Sequence, residues 1–452
     1  MKTVLNWSAY HEQGQGDAYA DIPAQGGDFA RAVAVCIRSG VCEQVTAKGV
    51  MCPSYRLMPA PDRSPGGRIR LLKQALNRPQ EQDWLTDPAL AQALDSCIGC
   101  KGCKRECEAY VDMATIKAEY QAQLVARHGS SLRAWLLAAG PLWLLRFPWL
   151  ARLLAWRNRS PRLRAWGERL LGLAREAELP LPLTPGFTEG EGWYEPLIAA
   201  PLRGELVLWV DPLTGLFRPA EAQAALSLLR RLGYRVYLLP PQDARRRPYE
   251  SGRADFSIGR IPAAQRHARH LLAALAQHLA AGRPLVGLEP SSLLMLREEY
   301  RQLFEPAQLP DGLENAAQQA LMLEEFLARE LMAHGLELAF KPRTGRLLVH
   351  AHCHQKAVGG LKPLRRLLKL IPQLDLQFIE AACCGMAGTY GMEAEHIAES
   401  RQMAAQALLP ALAAAPESDL ISGGFGCGWQ IRMLTGRPSL GLAQVLLGQL
   451  AD

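Results

Sequence analysis

The sequence predicts an α + α/β protein, in which a small helical, cysteine-rich domain is followed by two repeated parallel βα halves. Three observations carry this. Four cysteines crowd into Cys97-Ile98-Gly99-Cys100-Lys101-Gly102-Cys103-Lys104-Arg105-Glu106-Cys107. From about residue 205, short apolar runs alternate with segments of helical period, in two successive sets. The later cysteines fall just after the runs of the second set.

Composition sets the bounds. With 452 residues and 49% hydrophobic content, the chain can bury several cores and is globular rather than disordered. Its 11 cysteines are clustered, unlike those of a secreted disulfide scaffold. That points to a reducing, cytoplasmic compartment and to metal ligation. Residues 1–15 are polar, with no apolar core of signal-peptide length, and no apolar run is long enough to span a bilayer. The net charge of +7 is mild, and no nucleic-acid-binding motif accompanies it.

Taken in order, residues 1 to about 30 read as a loose, glycine-containing lead-in, followed by an apolar stretch that runs into Cys36. Cys42 and Cys52 follow, the latter before Pro53. The 97–107 run has C-x2-C-x2-C-x3-C spacing, which wraps a short loop around a cubane iron–sulfur cluster needing converging thiolates. Zinc takes its cysteines in separated pairs and fits this run poorly. Gly99 and Gly102 allow a tight turn with amides facing the sulfurs, and Lys101 and Lys104 stand where their charge could tune a cluster. Read as a second ferredoxin-type run, Cys36-x2-Ser39-x2-Cys42 lacks its second cysteine, and Cys52 is its displaced fourth. In two-run ferredoxins the fourth cysteine of each run serves the other cluster. Cys52, Cys97, Cys100 and Cys103 are therefore expected to hold one [4Fe–4S] cluster. Cys36, Cys42 and Cys107 remain for a second metal site, short of one thiolate. It would hold a [3Fe–4S] cluster, hold a [4Fe–4S] cluster completed by Ser39 or water, or stay empty. Cys36 and Cys42 also read as small buried hydrophobes. Helices are expected over 68–76, 87–94 and 112–124, which makes 30–125 a helical ferredoxin-type domain.

Residues 126–203 form a basic linker. Its 132–175 stretch holds Trp135, Trp143, Trp149, Trp156 and Trp166 among many arginines, with Pro141, Pro148 and Pro161 breaking it into short helices. Two readings fit: an ordinary helical linker with snorkelling arginines, or a peripheral contact with the inner face of a membrane. Residues 179–203 are rich in Pro and Gly and read as loop.

The first βα half spans 204–340, with strands over 206–210, 235–239 and 285–288 and helices over 220–232, 263–281 and 291–304. The second spans 341–452, with strands over 346–350, 374–380 and 419–422. Cys353 follows its first strand in His352-Cys353-His354, Cys383 and Cys384 follow the second, and Cys427 follows the third. Ligands gather at the carboxyl ends of parallel strands. Cys353, Cys383, Cys384 and Cys427 are therefore expected to meet at one cofactor site, and adjacent cysteines suit a multinuclear cluster better than one tetrahedral ion. An inert thiol-lined pocket is the bland alternative. His352 and His354 would tune or ligate a cluster there, or act only as loop hydrogen-bonders. The matching positions of the first half (Leu213, Thr214, Pro240, Pro241, Ser291 and Ser292) carry no cysteine, so that half reads as a structural cover.

These motifs resemble a known family. Cys97 to Cys107 with Val111-Asp112-Met113, and Cys42 to Tyr55 with Ser64-Pro65-Gly66-Gly67-Arg68, are similar to the iron–sulfur half of FAD-linked D-2-hydroxyacid dehydrogenases of the lactate, glycolate and 2-hydroxyglutarate types. Gly287-Leu288-Glu289-Pro290-Ser291, His352 to Ala357, Cys383-Cys384-Gly385-Met386-Ala387-Gly388 and Gly426-Cys427 to Ile431 resemble the cysteine-rich "CCG" domains shared with the glycolate oxidase iron–sulfur subunit and heterodisulfide reductases. Glu108, Ser39 and Ser292 depart from that pattern. The resemblance implies an electron-transfer subunit. A separate FAD-containing dehydrogenase subunit would deliver electrons and a quinone or other carrier would take them, since no glycine-rich dinucleotide fingerprint follows a strand here. The alternatives are a thiol–disulfide oxidoreductase like heterodisulfide reductase, and a scaffold without iron.

Overall fold

The computed structural model describes residues 2–44, 49–79, 83–198, 201–242 and 247–451. Among the described residues, strands β1 (Gly192–Tyr194), β2 (Gly204–Trp209), β3 (Tyr234–Leu238), β4 (Leu285–Gly287) and β5 (Ala320–Met322) build one sheet in the order β1-β3-β2-β4-β5. Strands β6 (Arg346–His350), β7 (Asp375–Phe378) and β8 (Asp419–Ser422) build a second in the order β7-β6-β8. β1 runs antiparallel along β3, and every other pair is parallel. The trios β3-β2-β4 and β7-β6-β8 share one arrangement, with the first strand of each set between its second and third.

The central strands β2 and β6 are apolar over Leu206–Trp209 and Leu347–Val349 because both faces of each are covered there. Leu206 and Leu208 face one core, while Val207 and Trp209 face another. That second core continues without a break into the helical domain, through Phe29, Ile69, Leu72, Leu90 and Ile116. The first core also takes Leu347 and Val349 of β6, so the two sheets share it. Leu348 and Leu420 face a third core on the far side of β6-β8, which contains Cys383, Cys384 and Cys427.

The helical domain follows its local signals. Ser64 caps the helix Pro65–Leu76 by accepting from the Gly67 amide, and Pro65 fits its first turn. Asp87 caps Pro88–Asp95, and Asp112 caps Met113–His128.

Four expectations need correction. The lead-in is not loose: Leu5 and Trp7 are buried, and the Glu119 carboxylate accepts from the Val4 and Leu5 amides and the Trp7 indole. A buried carboxylate needs such donors, and here the N-terminal backbone supplies them. The expected loop over 179–203 contains β1, and its residues 199 and 200 lie outside the described residues. The 291–304 helix is two, Pro290–Arg297 and Tyr300–Leu303. Pro141 lies inside the helix Leu132–Arg146, whereas Pro148 and Pro161 do separate helices.

The helical domain meets the second half directly. His396 donates to Asp95 at 2.9 Å and to Glu393 at 2.9 Å, and Arg63 pairs with Glu399 at 3.0 Å. Burial opposes the His396 charge, but the Asp95 and Glu393 carboxylates overcome it and raise its pKa from 6.5 to about 9. A group whose folded pKa lies above its unfolded value stabilises fully below the unfolded one and loses that contribution as pH rises through the folded one. We expect His396→Gln to cost roughly 1 kcal/mol near pH 6, the Asp95 side of the pair being half-exposed. The gap to the unsubstituted chain should close as pH passes about 9. Thermal unfolding of both proteins across pH checks this, and a pH-independent gap would refute it.

Candidate functional site

The cysteine loop of the helical domain is built by two unusual residues. Lys101 adopts left-handed backbone with φ +60, and a side chain at Gly102 would sit 2.0 Å from the Val50 carbonyl oxygen. Cys52, Cys97, Cys100 and Cys103 line one small pocket, with Arg68 in its wall. Burial pushes the Cys100 and Cys103 thiols up, and neighbouring sulfurs push them further. Shared positive charge from a metal is what would hold such sulfurs as thiolates.

Arg68 is fully buried. It donates to the Cys52 Sγ at 3.3 Å, to Ser54 Oγ at 3.0 Å, to Ser96 Oγ at 2.9 Å and to the Ala93 carbonyl at 2.8 Å. It thereby joins the Cys52 segment to the residues leading into Cys97. Burial opposes its charge, and the Cys52 and Cys97 sulfurs hold that charge on. From the sequence alone, Lys101 and Lys104 are the expected tuning charges. In the structure those lysines are taken up by carboxylates: Lys101 by Asp112 at 3.3 Å and Glu299 at 3.1 Å, and Lys104 by Asp112 at 3.4 Å and by Glu298. Arg68 was legible only as part of the Ser64-to-Arg68 motif, with no sign of where its guanidinium points.

Cys36, Cys42 and Cys107 approach one another. Burial raises the Cys42 thiol, the Cys36 and Cys107 sulfurs raise it further, and the Gly66 amide donates to it at 3.4 Å. Ser39 is exposed on its loop.

The second constellation sits beyond the carboxyl ends of β6, β7 and β8. Cys353 follows β6, Cys383 and Cys384 follow β7, and Cys427 lies in the first turn of the helix Phe425–Thr435 after β8. Their sulfurs form a chain. Cys384 donates to Cys427 at 3.6 Å, and the Cys353 and Cys384 thiols lie beside the Cys383 sulfur. Those neighbouring thiols, with the Gly385 amide at 3.3 Å and the Lys356 ammonium, hold Cys383 well below the usual thiol range. Cys427 is lowered by Cys384 and then by His350. Lys356 also donates to the Ala381 carbonyl at 2.5 Å and the Ala382 carbonyl at 3.2 Å, tethering the loop that carries Cys383.

His350 was missed in the sequence. Its ligand nitrogen, Cys384 and Cys427 place their donor atoms within 4.8 Å of one another, and its Nδ1 is buried without a partner. The available signal was a polar residue closing the apolar Leu347–Val349 run. His352 and His354, which were singled out, flank the site. The His352 Nδ1 accepts from the His354 amide at 3.1 Å, and the buried His354 ring donates from Nε2 to the Gly99 carbonyl at 3.0 Å. Gly99 lies between Cys97 and Cys100, so this bond ties one cysteine site to the other.

At Gly385, φ is +92 and a side chain would meet the Ser400 carbonyl oxygen at 2.2 Å. Gly385→Ala should cost more than about 1 kcal/mol and displace Cys383 and Cys384. Metal analysis with absorption spectra should show loss at the second site and retention at Cys97–Cys103. Unchanged metal content with an intact fold would count against a metal role for Cys383 and Cys384.

Comparison with known proteins agrees with this geometry. Residues 32–111, which hold every cysteine from Cys36 to Cys107, match the 4Fe-4S dicluster domain. D-2-hydroxyglutarate dehydrogenase of Pantoea ananatis is 22% identical over 96% of this chain and 45% of its own length. The Pseudomonas putida enzyme of that name is 26% identical over 91% of this chain and 42% of its own. One subunit of the anaerobic glycerol-3-phosphate dehydrogenase of Escherichia coli is 29% identical over 34% of this chain and 37% of its own. The chain thus spans less than half the length of the D-2-hydroxyglutarate dehydrogenases it matches. No solved structure gives a significant match. Residues 32–111 are therefore a 4Fe-4S dicluster domain, in a chain related along most of its length to D-2-hydroxyglutarate dehydrogenases, as the cysteine motifs led us to expect.

Proposed function

We propose that this chain is the iron–sulfur electron-transfer part of an FAD-linked D-2-hydroxyacid dehydrogenase, relaying electrons from a flavoprotein to a quinone or other carrier. The observation that carries this reading is the His354–Gly99 hydrogen bond, which couples the pocket of Cys52, Cys97, Cys100 and Cys103 to the site of Cys353, Cys383, Cys384 and Cys427. The relatives' names support a dehydrogenase context and do not favour the thiol–disulfide alternative.

A [4Fe–4S] cluster on Cys52, Cys97, Cys100 and Cys103 would supply reversible one-electron chemistry. The protein's own residues set its conditions. Burial of the loop excludes water, and hydrogen bonds and positive charge near the sulfurs favour the reduced state. Arg68 supplies both at Cys52. His354 holds the Gly99 turn against the second site by donating its Nε2 proton. Cys36, Cys42 and Cys107 would hold a second cluster, and Cys353, Cys383, Cys384 and Cys427, joined by His350, a third metal group.

Two outcomes are expected. After anaerobic reconstitution, dithionite reduction should give a [4Fe–4S] EPR signal that Cys100→Ser removes and Cys36→Ser leaves. A purified chain that binds flavin and oxidises a D-2-hydroxyacid unaided would defeat the subunit reading. Arg68→Gln should lower the midpoint potential of that signal while iron content stays unchanged, because a charged sulfur partner is lost. An unmoved potential in redox titration would rule out tuning by Arg68.

A further inference from the structure

The helices Leu132–Arg146, Leu150–Arg159 and Pro161–Leu171 contribute no cysteine, yet they lie against the second cysteine site. Leu137, Leu154 and Leu171 pack on the core that contains Cys383, Cys384 and Cys427. Their inward side is tied to the protein. Buried Arg157 donates to the Ala174 carbonyl at 3.0 Å and to that of Ala177, and Asn158 exchanges hydrogen bonds with the Leu179 backbone at 2.8 and 3.0 Å.

The outward side is different. On the second helix Trp149, Leu153 and Trp156 recur at helical spacing and stand exposed, and on the third so do Trp166 and Leu170. Trp156, Trp166 and Leu170 are 62%, 68% and 71% exposed. Arg152, Arg159, Arg162 and Arg169 stand exposed among them. Among the described residues none of these four pairs with a carboxylate, although Arg133, Arg164 and Arg175 of the same region each take a glutamate. A soluble surface would pair or disperse such groups. Unpaired guanidinium groups between exposed indoles are what the headgroup region of an anionic bilayer accommodates, with the rings at the acyl boundary and the cations on the lipid phosphates. An acidic protein surface would answer the charges. It would leave the separated bulky side chains of two short helices without a common pocket.

We infer that this Trp/Arg face docks the chain on an anionic lipid surface. Contact is peripheral, since no described helix is long and apolar enough to cross a membrane. Docking places the second cysteine site directly behind the lipid-facing helices, where a lipid-soluble carrier would find it. The docking itself needs only the exposed indoles and guanidinium groups, whether or not the cysteine sites relay electrons.

The test uses the full, metal-loaded chain and vesicles of phosphatidylcholine with and without phosphatidylglycerol. Co-sedimentation is expected only with phosphatidylglycerol present and should weaken with added salt. The triple variant Arg152→Glu/Arg162→Glu/Arg169→Glu should bind at least about tenfold more weakly. Trp149→Ser/Trp156→Ser/Trp166→Ser should do the same and lose the quenching of tryptophan emission by brominated lipid. All six positions are exposed, so circular dichroism and metal content should match the unsubstituted chain. Three results would overturn the inference: no sedimentation with either vesicle, undiminished sedimentation of both variants, or variants that lose only the binding of a flavoprotein partner.

Discussion

The guanidinium of Arg68 is a full positive charge with almost no access to water, and the arrangement of the helical domain follows from making that burial tolerable. An isolated buried charge costs several kcal/mol. Arg68 avoids this through two serine hydroxyls, one carbonyl and the sulfur of Cys52. Those partners come from two segments far apart in sequence. The first is Cys52 and Ser54. The second is the end of the helix Pro88–Asp95, just before Cys97. The same side chain therefore closes the pocket and offsets negative charge on its sulfurs. Folding of the domain and charge on its cysteines are one linked equilibrium.

Around that centre the other buried charges are arranged so that none faces the sulfurs unopposed. Lys101 lies between two of the pocket cysteines, yet Asp112 and Glu299 keep it charged against its burial and draw its ammonium toward the helix Met113–His128 and the Tyr300 end of the first half. Asp112, lowered by Lys101 and Lys104 despite burial, also caps that helix. Glu119, about two turns further on, fixes the N-terminal segment over the same helix. Three carboxylates thus anchor the cysteine loop, its following helix and the lead-in to one another.

What the sequence disclosed was whatever is periodic or local. Cysteine spacing, helical periodicity and apolar runs of strand length placed the helices 65–76, 88–95 and 113–128 and the central trio of each sheet within a few residues. It was silent where a long-range partner decides. β1 and β5 are three-residue edge strands that exist because β3 and β4 offer them an open edge, and their own sequences, Gly-Trp-Tyr and Ala-Leu-Met, carry no alternation. Leu5 and Trp7 lie in a short polar-rich lead-in and are held in the core with Glu119 accepting from the Leu5 amide and the Trp7 indole. His350 and Arg68 were invisible as site residues because a side chain's direction depends on neighbours tens of positions away.

The first sheet has the same strand arrangement as the second but a different chemistry at its carboxyl ends. Where the second half carries sulfurs, the first carries buried carboxylates: Asp211 after β2, Glu289 after β4 and Glu324 after β5. Asp211 caps its own turn by accepting from Leu213 and Thr214, while Glu289 and Glu324 reach the cysteine site's loops. Glu289 accepts from the Phe425 amide at 2.8 Å, two residues before Cys427. Glu324 accepts from Gln355, whose own oxygen accepts from the His352 amide next to Cys353 at 3.3 Å. Burial, reinforced by Glu289, raises Asp211 to about 7. The first half therefore does more than cover the second. It converts strand ends that hold no sulfur into acceptors that fix the backbone on both sides of the second cysteine site. That explains why a half without cysteines keeps the same sheet order and the same shared core as the half with them.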